Sequence, residues 1–296
     1  MEAEIYFCLH FSACLFIFLS FPDFGFRPSD FLPLRDFSLT LPADMLLENL
    51  TWPEVKRLKP ANKLVLFPLG SFEQHGPHLP LTTDTDIVSA LARAIEAKRP
   101  AKILCLPTLW PGHSTHHLFF PGTLSVSQMP YIQLIIELCR SIVKLGARKI
   151  FLLNGHGGND VPVRAALREL KSEFPKVRFV FASYWSLAAE SIRKRRQSEV
   201  GGLGHACEME TSIMLHLCPE RVKLPLAKRD GPKHTDQYRK ADMQYGRPVY
   251  FVNEFDEISK TGTVGHPDLA TAEKGKRFLV GIVNDVLAFV DDFGKW

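Results

Sequence analysis

Cysteine is scarce in this chain and never clustered. Its six residues (Cys8, Cys14, Cys105, Cys139, Cys207 and Cys218) form no C-x-x-C pair, which excludes a zinc knuckle and a disulfide framework. They read as buried free thiols in a reducing compartment. Charge of one sign is also short: the net charge is only +4, and the one basic run, Arg193 to Arg196, reads as an exposed helix end or loop. Without a basic stripe interleaved with aromatics, nucleic-acid binding is not expected. Internal repeats and low-complexity stretches are missing, and 46% hydrophobic with 23% charged residues excludes disorder as the dominant state. What remains is a globular chain of 296 residues, long enough to bury a substantial core.

Long hydrophobic runs are confined to the start. Ile5 to Phe21, IYFCLHFSACLFIFLSF, holds no Asp, Glu, Lys or Arg. It is slightly short for a spanning helix, and Glu2 and Glu4 stand where a signal peptide needs positive charge. Residues 1–44 have three readings: a membrane anchor or uncleaved signal, an apolar arm packed on the domain or a partner, or an extension outside the working domain. Met45, followed by LLENLTWPEVKRL, is a natural beginning. The working domain is therefore expected to be 45–296, cytoplasmic unless the segment 5–21 brings it to a membrane.

From Lys63 onward, short apolar runs alternate with amphipathic ones. KLVLFPLG (63–70), KILCLPTLW (102–110), RKIFLLNG (148–155) and VRFVFASYW (177–185) have the near-continuous apolar character of strands covered on both faces. Between and after them, DIVSALARAIEAK (86–98) gathers Ile87, Ala90, Leu91, Ala94 and Ile95 on one helical face. The stretches 129–146, 161–174, 208–217 and 270–293 also read as helices, the first of them closed by Gly146. Strands alternating with helices imply an α/β fold with a mainly parallel sheet wrapped on both faces. Such sheets carry their functional groups in loops just beyond the carboxyl ends of the strands.

Two polar loops leave predicted strands at that edge. In FPLGSFEQHGPHLPLTTDTD (67–86), Glu73 and His75 are two apart, so an extended backbone turns both to one side. Asp84 follows beyond a proline-bearing loop able to fold back. His156 lies in LLNGHGGN, where glycines permit close backbone approach. Carboxylate and imidazole suit zinc, manganese or ferrous iron without a thiolate. An E-x-H pair alone is more often a surface acid beside a hydrogen-bonded histidine, and a glycine-rich loop alone is more often a turn or a phosphate nest. It is the two together, each after a parallel strand, that point to a metal centre. A third cluster, GHACEMETS (204–212), opens a helix with His205, Glu208 and Glu210. Glu208 is three residues from His205 and could share its face; the plainer account is that both acids complement the helix dipole. A fourth, GHSTHHLFFPGT, holds His113, His116 and His117, of which two read as ordinary loop residues.

LGSFEQHGPHLPLTTDTD, FPGTLSV, LLNGHGGN and GHACEMETSIMLHLCPERV together resemble the signature blocks of the creatininase (creatinine amidohydrolase) family, in family order over some 240 residues. The resemblance implies a three-layer α/β/α domain, two divalent metal ions per subunit (zinc, manganese or iron), a homohexamer, and hydrolysis of a C–N bond in a small cyclic or linear amide by a hydroxide activated at a dinuclear centre. By position, Glu73, His75, Asp84 and His156 match the family's metal ligands, with Asp84 as the bridge. His205 matches the catalytic histidine that protonates the leaving nitrogen. Tyr184–Trp185 matches an aromatic pair near the pocket, and His117 and Ser71 are expected to line the pocket or hold the substrate. The chain departs from creatininase proper in two places. Gly158 stands where creatininase has an acid ligand two residues after the histidine, and in relatives sharing that glycine a fourth-block glutamate completes the shell. Glu208 is the expected fifth ligand, with Glu210 the runner-up. Gly201 falls where a tryptophan closes the creatininase pocket, so creatinine itself is not the expected substrate. Two other classes stay open: a lactone or cyclic-ketone hydrolase on the same centre, and a non-catalytic metal-binding module.

Overall fold

In the computed structural model, residues 45–234, 236–246 and 248–296 are described; the expectations about residues 1–44, the apolar run 5–21 included, lie outside them. Strand β1 (Leu64–Leu69) is buried along its whole length. It runs parallel to β2 (Ile103–Cys105) on one side and β3 (Lys149–Asn154) on the other, and β4 (Arg178–Ser183) adds beyond β3. The register pairs Leu69 with Asn154 and Asn154 with Ser183. Three strands therefore finish level, and the chain leaves all three at one edge of the sheet.

Alternation along these strands divides the core in two, because successive side chains point to opposite faces. Leu64, Leu66, Phe151 and Leu153 join one cluster with Ile87, Leu91 and Ile95 of α1 (Thr83–Lys98). Val65, Phe67, Leu69, Ile150 and Leu152 join the other with α2 (Gln128–Lys144) and α3 (Asp160–Glu173). The first cluster also takes Ile213 and Met214 from α4 (Glu208–Leu217) and Phe278, Ile282, Val286 and Val290 from the last long helix, Ala272–Phe293. Each large apolar side chain so covered contributes roughly 1.5–3 kcal/mol. The result is the three-layer arrangement, with a small antiparallel pair, β5 (Leu203–His205) and β6 (Val264–Gly265), beside it. A four-residue helix, α5 (Phe255–Ile258), precedes β6, and the Ala272–Phe293 helix is α6.

The observed elements differ from the expected ones where local chemistry intervenes. KILCLPTLW gives a strand only over Ile103–Cys105, because Pro107 has no N–H to offer; Leu106 and Leu109 still donate to the carbonyls of Leu66 and Pro68. Helix α1 starts at Thr83, three residues earlier than the apolar periodicity shows, which moves Asp84 from the loop into the first turn. Arg196 is not exposed. Its guanidinium pairs with Asp242 at 2.8 Å, both side chains being buried. Cys105, Cys139 and Cys207 are buried free thiols and Cys218 is a half-buried one. Among the described residues no helix is long and apolar enough to cross a membrane.

Tyr131 of α2 is fully buried and its hydroxyl meets no partner among the described residues. A buried unsatisfied polar group costs free energy that an apolar replacement recovers. Tyr131→Phe is therefore expected to raise the unfolding free energy by about 1 kcal/mol, read from the urea midpoint; a drop of that size would mean that the hydroxyl is bonded.

Candidate metal centre

Close approach builds the site. A Cβ on Gly155 would lie 2.9 Å from Val88 Cβ and 3.1 Å from the Asp84 carbonyl, and one on Gly70 would lie 2.4 Å from Thr85 Oγ1. Glycine at the ends of β1 and β3 thus lets the first turn of α1 settle onto the strand edge, with Asp84 directed at the two loops. The NGHGGN loop is pinned by its two asparagines. Asn154 donates to the His156 carbonyl at 2.6 Å and accepts from the His156 amide at 3.2 Å, while Asn159 donates to the Gly70 carbonyl at 3.0 Å.

The acids and rings then converge in the interior. His75 Nε2 lies 3.0 Å from Asp84 Oδ1, and His156 Nδ1 lies 3.1 Å from both Asp84 Oδ2 and Glu73 Oε2. The two oxygens of Asp84 thus face different histidines. His117 Nε2 and His205 Nδ1 stand 3.3 and 3.7 Å from Glu73 Oε1. Among the described residues, three groups have ligand atoms close enough to surround a cation: Glu73, Asp84 and His156; His75, Asp84 and Glu210; and Glu73, His117 and His205. Glu73 and His75 are fully buried, and neither Glu73 oxygen makes a hydrogen bond among the described residues. A buried carboxylate without hydrogen bonds, surrounded by imidazoles, is a donor set suited to divalent cations.

Electrostatics agree with that reading. Burial favours the neutral form of Glu73, but His117 and His156 outweigh it and hold its carboxyl well below the usual range. Burial is likewise outweighed at His75, which Asp84, Glu210 and Glu73 hold up at about 9, and at His156, which Glu73 and Asp84 hold well above its ordinary value. Glu210 goes the other way: burial, with Asp84 adding, pushes it to about 7. His205 falls to about 3 through burial and the neighbouring His75. Without metal, protons on imidazoles balance the carboxylates; cations in the same place would relieve them of that role.

The creatininase family profile, creatinine amidohydrolase, matches residues 48–290. The chain belongs to the creatininase family. It is 32% identical to a mycofactocin precursor peptide peptidase of Mycobacterium ulcerans over 80% of this chain and 84% of that protein. A 3-dehydro-scyllo-inosose hydrolase of Thermotoga maritima is 29% identical over 85% of this chain and 84% of the relative. Among solved structures, a creatininase mutant of zinc–zinc type superposes with a TM-score of 0.69 at 25% identity, covering 84% of this chain and 98% of that one.

Against the family pattern, the structure places Glu210, not Glu208, beside His75 and Asp84. Glu208 and His205 do not share a helical face. His205 instead ends β5, Ala206 turns the chain in a left-handed conformation with φ 51°, and only then does α4 begin. Glu208 faces away from the centre, where its carboxylate takes Lys274 Nζ at 2.7 Å and the amides of Gln197 and Ser198 at 2.9 and 2.8 Å. An acid at position 158 has no room, since a Cβ there would lie 2.1 Å from the His113 carbonyl. Ser71 does not line the pocket. Its hydroxyl donates to Asp84 Oδ2 at 2.7 Å and so orients that carboxylate. Trp185, His117, His205 and Glu210 do line a cavity of about 250 Å³ over the cluster. Phe255 of α5, which no sequence pattern singled out, closes it by stacking on His117 at 3.9 Å between ring centroids. His78, also in the first loop, pairs with Thr211 Oγ1 at 2.9 Å.

Two measurements follow. Glu210→Gln is expected to lose one bound metal, read by elemental analysis after dialysis. Glu208→Gln should keep the full complement yet lose roughly 2 kcal/mol of stability, having left Lys274 without its counter-charge; the reverse pattern would return the ligand role to Glu208. Because Glu210 titrates at about 7 and His75 at about 9 without metal, binding must displace protons. Affinity for zinc should therefore fall as pH is lowered through 7, with proton release visible by calorimetry in buffers of different ionisation heat; an affinity flat across that range contradicts the assignment.

Proposed function

We propose that the protein is a dinuclear metal-dependent amidohydrolase, cleaving a C–N bond in a substrate of small-peptide or amide type. The observation that carries this reading is Asp84, whose two oxygens face two separate ligand groups, one with Glu73 and His156 and one with His75 and Glu210. A pair of zinc, manganese or ferrous ions held there would supply an activated water and polarise the substrate carbonyl. The protein's own groups do the rest. Ser71 holds Asp84 in its bridging orientation. His205, tethered through Nε2 to the Gln74 carbonyl at 2.7 Å, turns Nδ1 inward. From there it can take a proton from the attacking water and deliver it to the departing nitrogen. Trp185, Phe255 and Met243 give the cavity apolar walls that exclude bulk water.

Substrate size is argued from the neighbouring space. The cavity over the metals adjoins a larger one of about 800 Å³, with Gly204, Met243, Ile258 and Val264 lining both. Gly201 lies on the wall of the larger cavity with open space around it. No indole closes that side, so a chain longer than a single small ring has room. The resemblance to a peptide peptidase supports this choice over creatinine. The resemblance to an inosose hydrolase keeps carbonyls outside amides as a second reading.

Zinc- or manganese-loaded protein is expected to hydrolyse short peptides, formamides or cyclic amides in preference to lactones in a direct competition. His205→Asn should lower turnover by roughly 10²–10⁴ with metal content unchanged, and Asp84→Asn should abolish both metal binding and turnover. Hydrolysis that survives Asp84→Asn, or preference for the lactones, overturns the reading.

A further inference from the structure

Four histidine rings face the centre, and the partner of each outward nitrogen decides what the inward nitrogen presents. Three of the outward nitrogens meet backbone carbonyls. His75 Nδ1 donates to the Glu73 carbonyl at 3.2 Å, His156 Nε2 to that of His113 at 3.1 Å, and His205 Nε2 to that of Gln74 at 2.7 Å. A carbonyl can only accept, so in each ring the outward nitrogen carries a hydrogen, and the lone pair is turned inward once the ring is neutral, as it is in His205 and as it becomes in His75 and His156 when they give up their second proton. A carbonyl on the far nitrogen is also the arrangement that orients a ligating imidazole.

His117 is the exception. Its outward Nδ1 lies 2.8 Å from Gln74 Nε2, an amide nitrogen that can only donate. Two backbone groups of opposite kind set the orientation of that amide independently of the histidine. Gln74 Oε1 accepts from the Gly76 amide at 2.9 Å, and Nε2 donates to the Gly262 carbonyl at 3.1 Å. Flipping the amide would set like against like at both contacts. Both amide hydrogens are then used, one on Gly262 and one on His117. The 3.2 Å approach of Gln74 Nε2 to His205 Nε2 is left as packing, since His205 already donates to the Gln74 carbonyl. Gln74 is itself buried, and Phe255 fixes the plane of the His117 ring from the cavity side.

We propose that Gln74 is a positioning residue that holds His117 as the Nε2–H tautomer, so that His117 turns a hydrogen-bond donor, not a metal-ligating lone pair, toward Glu73 and the cavity. Of the three acid–histidine groups, the one made of Glu73, His117 and His205 is thereby withdrawn as a metal site. The centre keeps two cations, and the imidazole N–H beside them is available to a substrate oxygen or to Glu73. The tautomer is set by hydrogen bonds alone; only this consequence rests on the two-metal reading.

The test is the ring-nitrogen spectrum of the full chain labelled with ¹⁵N, without metal and with zinc, assigned by comparison with His117→Ala. His117 is expected to show an unprotonated Nδ1 and a protonated Nε2 in both states, with a coupling across the hydrogen bond from Gln74 Nε2. A protonated Nδ1, or an Nε2 resonance that shifts as a ligand when zinc is added, overturns the assignment. Gln74→Met keeps the length and removes the donor, and should release His117 into a mixture of tautomers; an unchanged tautomer in the folded variant removes the role from Gln74. Should that variant not fold, the coupling in the wild-type chain decides the same point. Equilibrium dialysis against excess zinc should stop at two ions per chain, and a third tight ion lost in His117→Ala overturns the proposal. A chain that binds no zinc yet shows the expected tautomer defeats the hydrolase reading and leaves the tautomer standing.

Discussion

Asp84 is the group on which the centre depends. Its carboxylate lies in the interior with each oxygen against a different imidazole, a position that only two positive partners make tolerable. To hold it there the chain brings the first turn of α1 onto the level ends of β1 and β3, and the approach is close enough that only glycine fits at Gly70 and Gly155. Ser71 then fixes the remaining freedom of the carboxylate. The fold's contribution to chemistry is thus a matter of spacing: parallel strands that stop together, and a helix start laid across the gap.

Charge in this cluster is balanced by whatever cation is available. Glu73 stays ionised against the opposition of burial because His117 and His156 are close, and Asp84 because His75 and His156 are; His75 and His156 are held protonated by the same carboxylates. Glu210, buried and beside the Asp84 carboxylate, goes toward its neutral form. Divalent ions bound in the same interior would compete with those protons. Outward carbonyls prepare His75 and His156 for the ions by turning their lone pairs inward.

Where the resemblance to creatininase places an acid, this chain has glycine. Position 158 has no space for a side chain against the His113 carbonyl, and the carboxylate comes from α4 instead. Two glutamates in that helix's first turn do unlike things. Glu210 faces the centre, while Glu208 gathers Lys274 and two amides of the 197–198 loop and so holds the loop that follows the buried Arg196. Arg196 in turn anchors the segment around Asp242 that borders both cavities.

Much of this was legible in the sequence, and the limits are instructive. Near-continuous apolar runs at 63–70, 148–155 and 177–185 marked buried parallel strands, because a sheet covered on both faces leaves no polar side. Glu73, His75, Asp84 and His156 could be singled out because the loops carrying them follow such strands directly. Glu208 and Glu210 could not be told apart, since a single left-handed residue at Ala206 decides which of them faces His75, and no periodicity records a turn of that kind. Ser71 looked like pocket lining and proved to stand behind Asp84. Phe255 and the second cavity arise from a segment that packs back over the site, Phe255 itself lying some thirty residues beyond the last recognisable motif, which ends at Val222. What the sequence by itself determined is the layered α/β fold, the family and the kinds of ligand, because these rest on local periodicity and motif spacing. Which glutamate faces the acid–histidine cluster, which way each imidazole is turned and how the pocket is roofed were decided only in three dimensions, because each depends on one local turn, one hydrogen bond or one close contact that periodicity does not record.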